Sequence, residues 1–345
     1  MRLFRRSREG EAPADPVTAF WSWWQESGAE LTAAALADRE PVRVADELSR
    51  RVAAIAEGLT WELSAGGTSA HLLVVSPEGD PELRATARRW LRAAPRATAT
   101  WGYADTRQPV QDVDAVELET EGATVAFRDI VVSARREGLR LSVAVHHPSF
   151  AHLDDAARAT IAYLALDSAV GESDVECWIG EIARPQLAPM DAFPLRWVRS
   201  LVADLKAEHT SPNGEPHQVV LQGQGADGPI LAMAQVPLAA ATAPELDTHV
   251  GVFLEYLATE DGLPTPGALE ELRHFEDALS LDLGGRGRVV AHQSSAGTRV
   301  LHVFVDGTSD AADRVRAASR RWTQGSVGVT ETHDPSWSMV AHLRG

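Results

Sequence analysis

The densest set of groups able to do chemistry in this chain is His146-His147-Pro148-Ser149-Phe150-Ala151-His152, with Asp154 and Asp155 directly behind. Imidazoles and carboxylates at such short range suggest metal binding or proton transfer. Zinc requires three or four ligands converging on one point. The neighbours His146 and His147 point to opposite faces of an extended segment, and their spacing matches no zinc pattern. A strand-to-helix loop is the plainer reading, and no metal ligand is assigned. His292 and His302 fall on the strands of a later hairpin, where they are expected at the sheet surface. The single cysteine, Cys177, lies in ESDVECWIGEI, which reads as an apolar strand and makes it an inert core thiol. One cysteine allows no intramolecular disulfide, which fits a reducing compartment.

Two glycine clusters invite a phosphate reading. Gly223-Gln224-Gly225-Ala226-Asp227-Gly228 fits G-x-G-x-x-G and follows a strand. A dinucleotide site needs a helix to open there so that its amides meet the pyrophosphate. Pro229 and a second β run follow instead, so the glycines read as a hairpin turn. Gly284-Gly285-Arg286-Gly287-Arg288 has the composition of an anion-binding nest, yet it also stands where a helix must turn into a strand. No G-x-S-x-G, P-loop or H-E-x-x-H occurs. No catalytic residue and no cofactor is assigned.

Composition narrows the partners. The 345 residues include 49 acidic and 32 basic side chains, for a net charge of −17. Nucleic-acid and anionic-membrane surfaces call for clustered Lys and Arg, so neither is an expected partner. A basic protein surface is compatible with the charge, as is simple solubility. No run of about 18 apolar residues is present to span a membrane. The start, MRLFRRSREGEAPADP, has a basic head without the apolar stretch of a secretory signal. The expected location is cytoplasmic.

The elements that must hold these groups read as follows. Residues 1–14 are polar and expected to be disordered, with Arg2, Arg5, Arg6 and Arg8 in that tail. Asp15-Pro16 caps a helix containing FWSWW, with Phe20, Trp24 and Leu31 on one stripe and Trp23 beside it. Three tryptophans in four positions cannot share one face. A helix after Pro41, strands LTWELSAG and AHLLVV, a helix from Pro81 and a strand TATWGYA give α-β-β-α-β. The middle shows strands DIVVSA and LRLSVAV, an Ala-rich helix after Asp154 and the strand ECWIGEIA. Further on come a helix near Arg196–Glu208, an exposed turn HTSPNGEPH and the hairpin VVLQGQGADGPILAMAQVPL. The last part is β-α-β-β-α-β: HVGVFLEYL, a helix capped by Thr265-Pro266, GRVVAHQ, RVLHVFV, a helix from Asp310 to Trp322, and VGVTETH.

The segment Gly297–Trp337 resembles Gly67–Arg107: each has a Gly-Thr entry, a β run, an acidic turn and a helix closing on Arg-Arg-Trp. The expected fold is therefore α+β, with repeated ferredoxin-like (βαββαβ) plait units and antiparallel sheets. The expected domains are 1–14 (tail), 15–110, a middle α+β region at 111–243, and a C-terminal ferredoxin-like domain at 244–345.

The run PTPGALEELRHFEDALSLDL, the hairpin GTRVLHVFV, the helix ending RRW and the closing THDPSW together resemble the bacterial domain-of-unknown-function 695 family. FWSWW and GLTWELS are similar to the front of its longer members. Through that group the chain distantly resembles ribonuclease E inhibitor-type regulators, which implies protein binding rather than catalysis. Asp334 and Trp337 match the closing motif and read as a turn-forming cap and a packing aromatic. The function expected is a non-enzymatic binding or regulatory module, monomeric or weakly dimeric, contacting another protein through Trp23, Trp101 or Trp337. A rival reading is a small-molecule binder or hydrolase-like enzyme with a site near His146, His147 and Arg286. A third is an acidic immunity-type inhibitor of a basic toxin or nuclease.

Overall fold

An aspartate and a proline start the first helix, as their order in the sequence leads one to expect. In a computed structural model describing residues 15–120, 123–211 and 216–344, the Asp15 carboxylate accepts the Thr18 N–H at 3.0 Å. The expectations for residues 1–14 and for much of the turn HTSPNGEPH lie outside these described residues. The chain divides into two compact units, Met1–Thr106 and Arg107–Gly345.

In the first unit, α1 (Pro16–Trp23) runs through a π-helical turn, Trp24–Gly28, into α2 (Ala29–Ala37). That turn inserts one residue into the helical repeat, and it corrects the expected stripe. Leu31 comes out 55% exposed, while its neighbour Thr32 takes the buried place. Trp21 and Trp24 are buried; Trp23 is half-buried beneath the Arg51 guanidinium, 4.3 Å from its ring. Three of the inward indoles donate hydrogen bonds. Trp21 Nε1 donates to Trp90 O at 2.8 Å, Trp24 Nε1 to the Tyr103 hydroxyl at 3.0 Å, and Trp101 Nε1 to Ala29 O at 3.2 Å. The core is completed by α3 (Val42–Ile55) and α4 (Pro81–Arg92) over β1 (Thr60–Ala65), β2 (His71–Ser76) and β3 (Trp101–Ala104). Gly28 is required by close approach, because a Cβ there would stand 2.8 Å from the Trp23 ring. Gly28→Ala is expected to cost about 1–3 kcal/mol by overpacking. Thermal unfolding would show it, and a midpoint equal to that of the wild type would refute it.

The second unit opens with the hairpin β4 (Glu117–Thr120) and β5 (Ala123–Ala126). A four-stranded sheet follows, in the order β8-β7-β6-β9. Its strands are β6 (Val131–Glu137), β7 (Arg140–His146), β8 (Ile179–Ala183) and β9 (Phe193–Pro194). Against it pack α5 (Asp155–Val170), α6 (Glu172–Trp178) and α7 (Val198–His209). The Asp154 carboxylate caps α5 on the Ala157 N–H. Cys177 lies in helix α6, not in a strand as expected. The apolar run CWI reads equally well as the last turn of a buried helix, which periodicity cannot separate from a strand at this length.

The last sheet has six strands, in the order β10-β11-β13-β14-β12-β15, and every neighbouring pair is antiparallel. They are β10 (His217–Gly225), β11 (Gly228–Val236), β12 (Thr248–Glu255), β13 (Gly287–Ser295), β14 (Thr298–Val305) and β15 (Val327–His333). Helices α8 (Pro266–Leu283) and α9 (Ala311–Ser319) cover one face. Thr265 caps α8, its hydroxyl accepting the Ala268 N–H. The β10–β11 hairpin, grouped by sequence with the middle region, is hydrogen-bonded through β11 to β13 of this sheet.

Mixed α+β architecture with antiparallel sheets is thus present, but strand adjacency is not repeated. β2-α4-β3 and β14-α9-β15 share their order, and Trp90 and Trp322 are buried in both. β3 lies directly beside β2 and parallel to it, whereas β12 stands between β14 and β15. Likewise β8 runs parallel to β7. Among the described residues no strand precedes β1 to fill the middle place, so the crossover there closes onto its own neighbour.

Candidate functional site

The residues singled out by sequence are not brought together. His146 and His147 are buried at the end of β7. His146 Nδ1 donates to the Pro185 carbonyl at 3.1 Å, a contact whose direction is fixed because a carbonyl only accepts. His147 Nδ1 accepts the Ser149 N–H at 3.1 Å and caps the short 3₁₀ turn Pro148–Ala151, and burial lowers its pKa. Both rings therefore hydrogen-bond to backbone, His146 to a carbonyl 39 residues on and His147 within its own turn. Arg286 is exposed between α8 and β13 and pairs with Asp310 at 2.9 Å. Trp101 and Trp337 are buried, which removes them as contact surfaces, and Trp23 is half-buried. Asp334 and Trp337 take the structural roles their motif suggested. The Asp334 carboxylate accepts the Ser338 and Met339 N–H groups at 2.8 and 2.9 Å. Burial and the neighbouring Glu176 and Asp174 push the Cys177 thiol up to about 12, so it stays protonated. Among the described residues no group of three or more His, Cys, Asp or Glu side chains could hold a metal ion.

A different constellation forms where the sheet outruns its helices. The core under α8 and α9 draws on β12, β14 and the inner parts of β13 and β15, with no residue from β10 or β11. Beside α8 this leaves a groove of about 370 Å³. Val220, Leu231 and Met233 of the hairpin form one wall, with Val220 61% exposed. Leu269, Arg273, Glu276, Asp277 and Ser280 form the other, a single stripe at helical spacing. Arg273 has no ion-pair partner among the described residues.

At the base, Glu276 joins the helix to the sheet. Its Oε1 accepts from Arg299 Nη1 at 2.8 Å, and its Oε2 lies 3.0 Å from His292 Nδ1. Arg299, 3% exposed on β14, also donates from Nε to the Ser294 hydroxyl at 2.8 Å. Burial alone would raise the Glu276 pKa. The hydrogen bond from His292 and the charge of Arg299 outweigh it and hold the carboxyl below its usual range. An ionised carboxylate only accepts, so His292 carries its proton on Nδ1, and in the neutral ring Nε2 keeps a lone pair. His292 lines the groove, and Nε2 has no hydrogen-bond partner among the described residues. The arrangement can accept a proton or a hydrogen bond at Nε2 and offer the Arg273 guanidinium to an acceptor. His292 is not the sheet-surface residue expected.

His302 is not one either. It is buried with His249 on the opposite face of the sheet, Nε2 of His249 lying 3.0 Å from Nδ1 of His302.

No curated protein and no solved structure matches this chain. Residues 230–343 match the model of a family of unknown function, DUF695.

Proposed function

We propose that the chain is a binding protein that takes a segment of another protein into the groove between α8 and the β10–β11 hairpin. The observation that carries this reading is the vacancy in the helix layer. The sheet continues two strands beyond α8, and their apolar side chains are left with no helix above them. Helices pack 8–10 Å apart, and two neighbouring strands span roughly that width, so the space suits one amphipathic helix or extended segment. On this reading β12-α8-β13-β14-α9-β15 is a ferredoxin-like plait extended by a hairpin, and Gly67–Arg107 is a partial relative of its second half. Ribonuclease E inhibitor-type regulation, a bacterial cytoplasmic setting and a monomer or weak dimer accord with it.

Incorporating a photo-crosslinking phenylalanine analogue at position 220 in the full chain provides the test, with the exposed Leu187 as control. One reproducible protein adduct is expected at 220 and absent at 187. Arg273→Glu should weaken it about tenfold, the scale of one interface arginine. The same adducts at both positions, or none, would sink the proposal. If the partner is instead a basic toxin or nuclease drawn by the charge of −17, the affinity falls steeply with salt.

The Glu276–His292 pair favours a second reading, in which a small molecule sits in the groove and exchanges a proton at Nε2. Ligands found by thermal shift would then be lost on His292→Gln, while the unliganded protein unfolds at its usual temperature.

A further inference from the structure

On the face of the last sheet that carries neither α8 nor α9, two imidazoles meet beneath the C-terminal segment 334–344. His249 Nε2 and His302 Nδ1 share one hydrogen bond of 3.0 Å, so a single proton occupies the line between them. Whichever ring supplies it, one N–H and one bare nitrogen remain. These are His249 Nδ1 and His302 Nε2, both buried and without a hydrogen-bond partner. Phe304 joins this pair to the segment, its ring 5.1 Å from His249 and stacked at 4.4 Å on Trp337, and the His302 ring lies 6.0 Å from that of His342 in the segment itself. The segment is fastened by Asp334 at its start, by Trp337 Nε1 on Leu246 O at 2.9 Å, and by Arg344 on Leu238 O at 3.1 Å.

We propose that the His249–His302 pair is a proton-operated catch, and that a proton added to it releases segment 334–344 from the sheet. A second proton cannot enter the line between the rings. It must go to a nitrogen that is buried and unpartnered, where a cation gains no hydrogen bond unless the cover opens to water. The cover is cheaper to move than the sheet, being one short segment against six paired strands.

The surrounding charges set the direction. Burial, then the neighbouring imidazoles His249, His342 and His292, bring His302 down from 6.5 to about 4. Burial lowers His249 too, against the pull of the Asp334 carboxylate. Gln293 Oε1 on β13 accepts from His342 Nε2; Thr332 and His333 of β15 pair with His249 and Thr248; and Asp247 is engaged by the Gly307 N–H. A folded pKa below that of the hydrated ring makes closure complete above about pH 6.5 and progressively weaker as pH falls toward 4. For His302 the opening constant at pH 5 is about 30-fold that at pH 8. Asp334 titrates outside this window: burial pushes its carboxyl up, but the Met339 and Ser338 amides more than offset that and hold it below 3.8.

The test is amide hydrogen exchange at Ser338 and Met339 in the full chain from pH 8 to pH 5, corrected for the chemical exchange rate. Wild type should lose about 30-fold of its protection, His302→Gln should lose less than about 3-fold, and His342→Gln should follow wild type. Should His302→Gln already expose these amides at pH 8, His249→Gln removes the same proton line and its response decides. A flat wild-type profile overturns the proposal. So does a glutamine variant at position 302 or 249 that follows wild type, or a response abolished by His342→Gln.

Discussion

Trp337→Ala is expected to cost about 4 kcal/mol of stability, within the 3–5 kcal/mol usual for deleting a buried large aromatic. Trp337 is 0% exposed and stacked on Phe304, and its indole N–H satisfies the Leu246 carbonyl. It belongs to the core of Val290, Ala291, Val340 and Leu343 that closes this face of the sheet. Its backbone is left-handed, with φ at 56°, and its N–H reaches Asp334 O, so the loop and the side chain are fixed together. Trp337→Phe retains most of the stacking but strands the buried carbonyl, a loss of about 1–3 kcal/mol. Urea unfolding of both variants checks the series. A loss below about 1 kcal/mol for the alanine variant would mean that the segment adds no packing, since even single buried methylenes are felt at that scale.

Much of this architecture was legible because local signals and tertiary structure agree. Asp15-Pro16, Asp154 and Thr265-Pro266 each mark a helix start by a short carboxylate or hydroxyl that reaches a free amide, and each does so in the fold. Strand order carried no such signal. Whether β3 lies beside β2 or across another strand depends on whether a leading strand exists to fill the place, which no residue of the helix or turn encodes. The Leu31 error has the same root, since a π-turn at 24–28 shifts every later position by one and leaves no composition mark.

The candidate site did leave a trace, one that rests on phase rather than on motif. Arg299 alternates with Leu301, Val303 and Val305, so a strand with period two turns it into the core. Glu276 falls four residues after Leu272 and three before Leu279, inside the apolar stripe of its helix. A charge in phase with a buried face needs a partner. The cluster at His146 was denser, but density says nothing of convergence, and His146 and His147 found separate backbone partners, Pro185 O and the Ser149 N–H.

That buried pair gives the last expectation. Arg299→Met should cost about 3–5 kcal/mol at pH 7, because among the described residues it leaves the Glu276 carboxylate on α8 with His292 as its only remaining side-chain partner. The double variant Arg299→Met/Glu276→Leu should recover most of this, since two apolar side chains replace a pair that contributes little net stability. The pH dependence separates lost charge from lost packing. In wild type the Glu276 pKa is depressed, so its contribution is present above the ordinary value of about 4.5 and is lost as pH falls through the lower folded value. Without Arg299, two of the interactions that lower the carboxyl are gone while its burial remains, so the folded pKa is depressed less and less stability is gained as pH rises. The two profiles diverge with increasing pH, and the cost of Arg299→Met should therefore be clearly smaller at pH 4 than at pH 7. Denaturant unfolding at both values decides it: an equal cost at each would mean that arginine acts there by filling space, and that Glu276 does not rely on it to stay ionised beside His292.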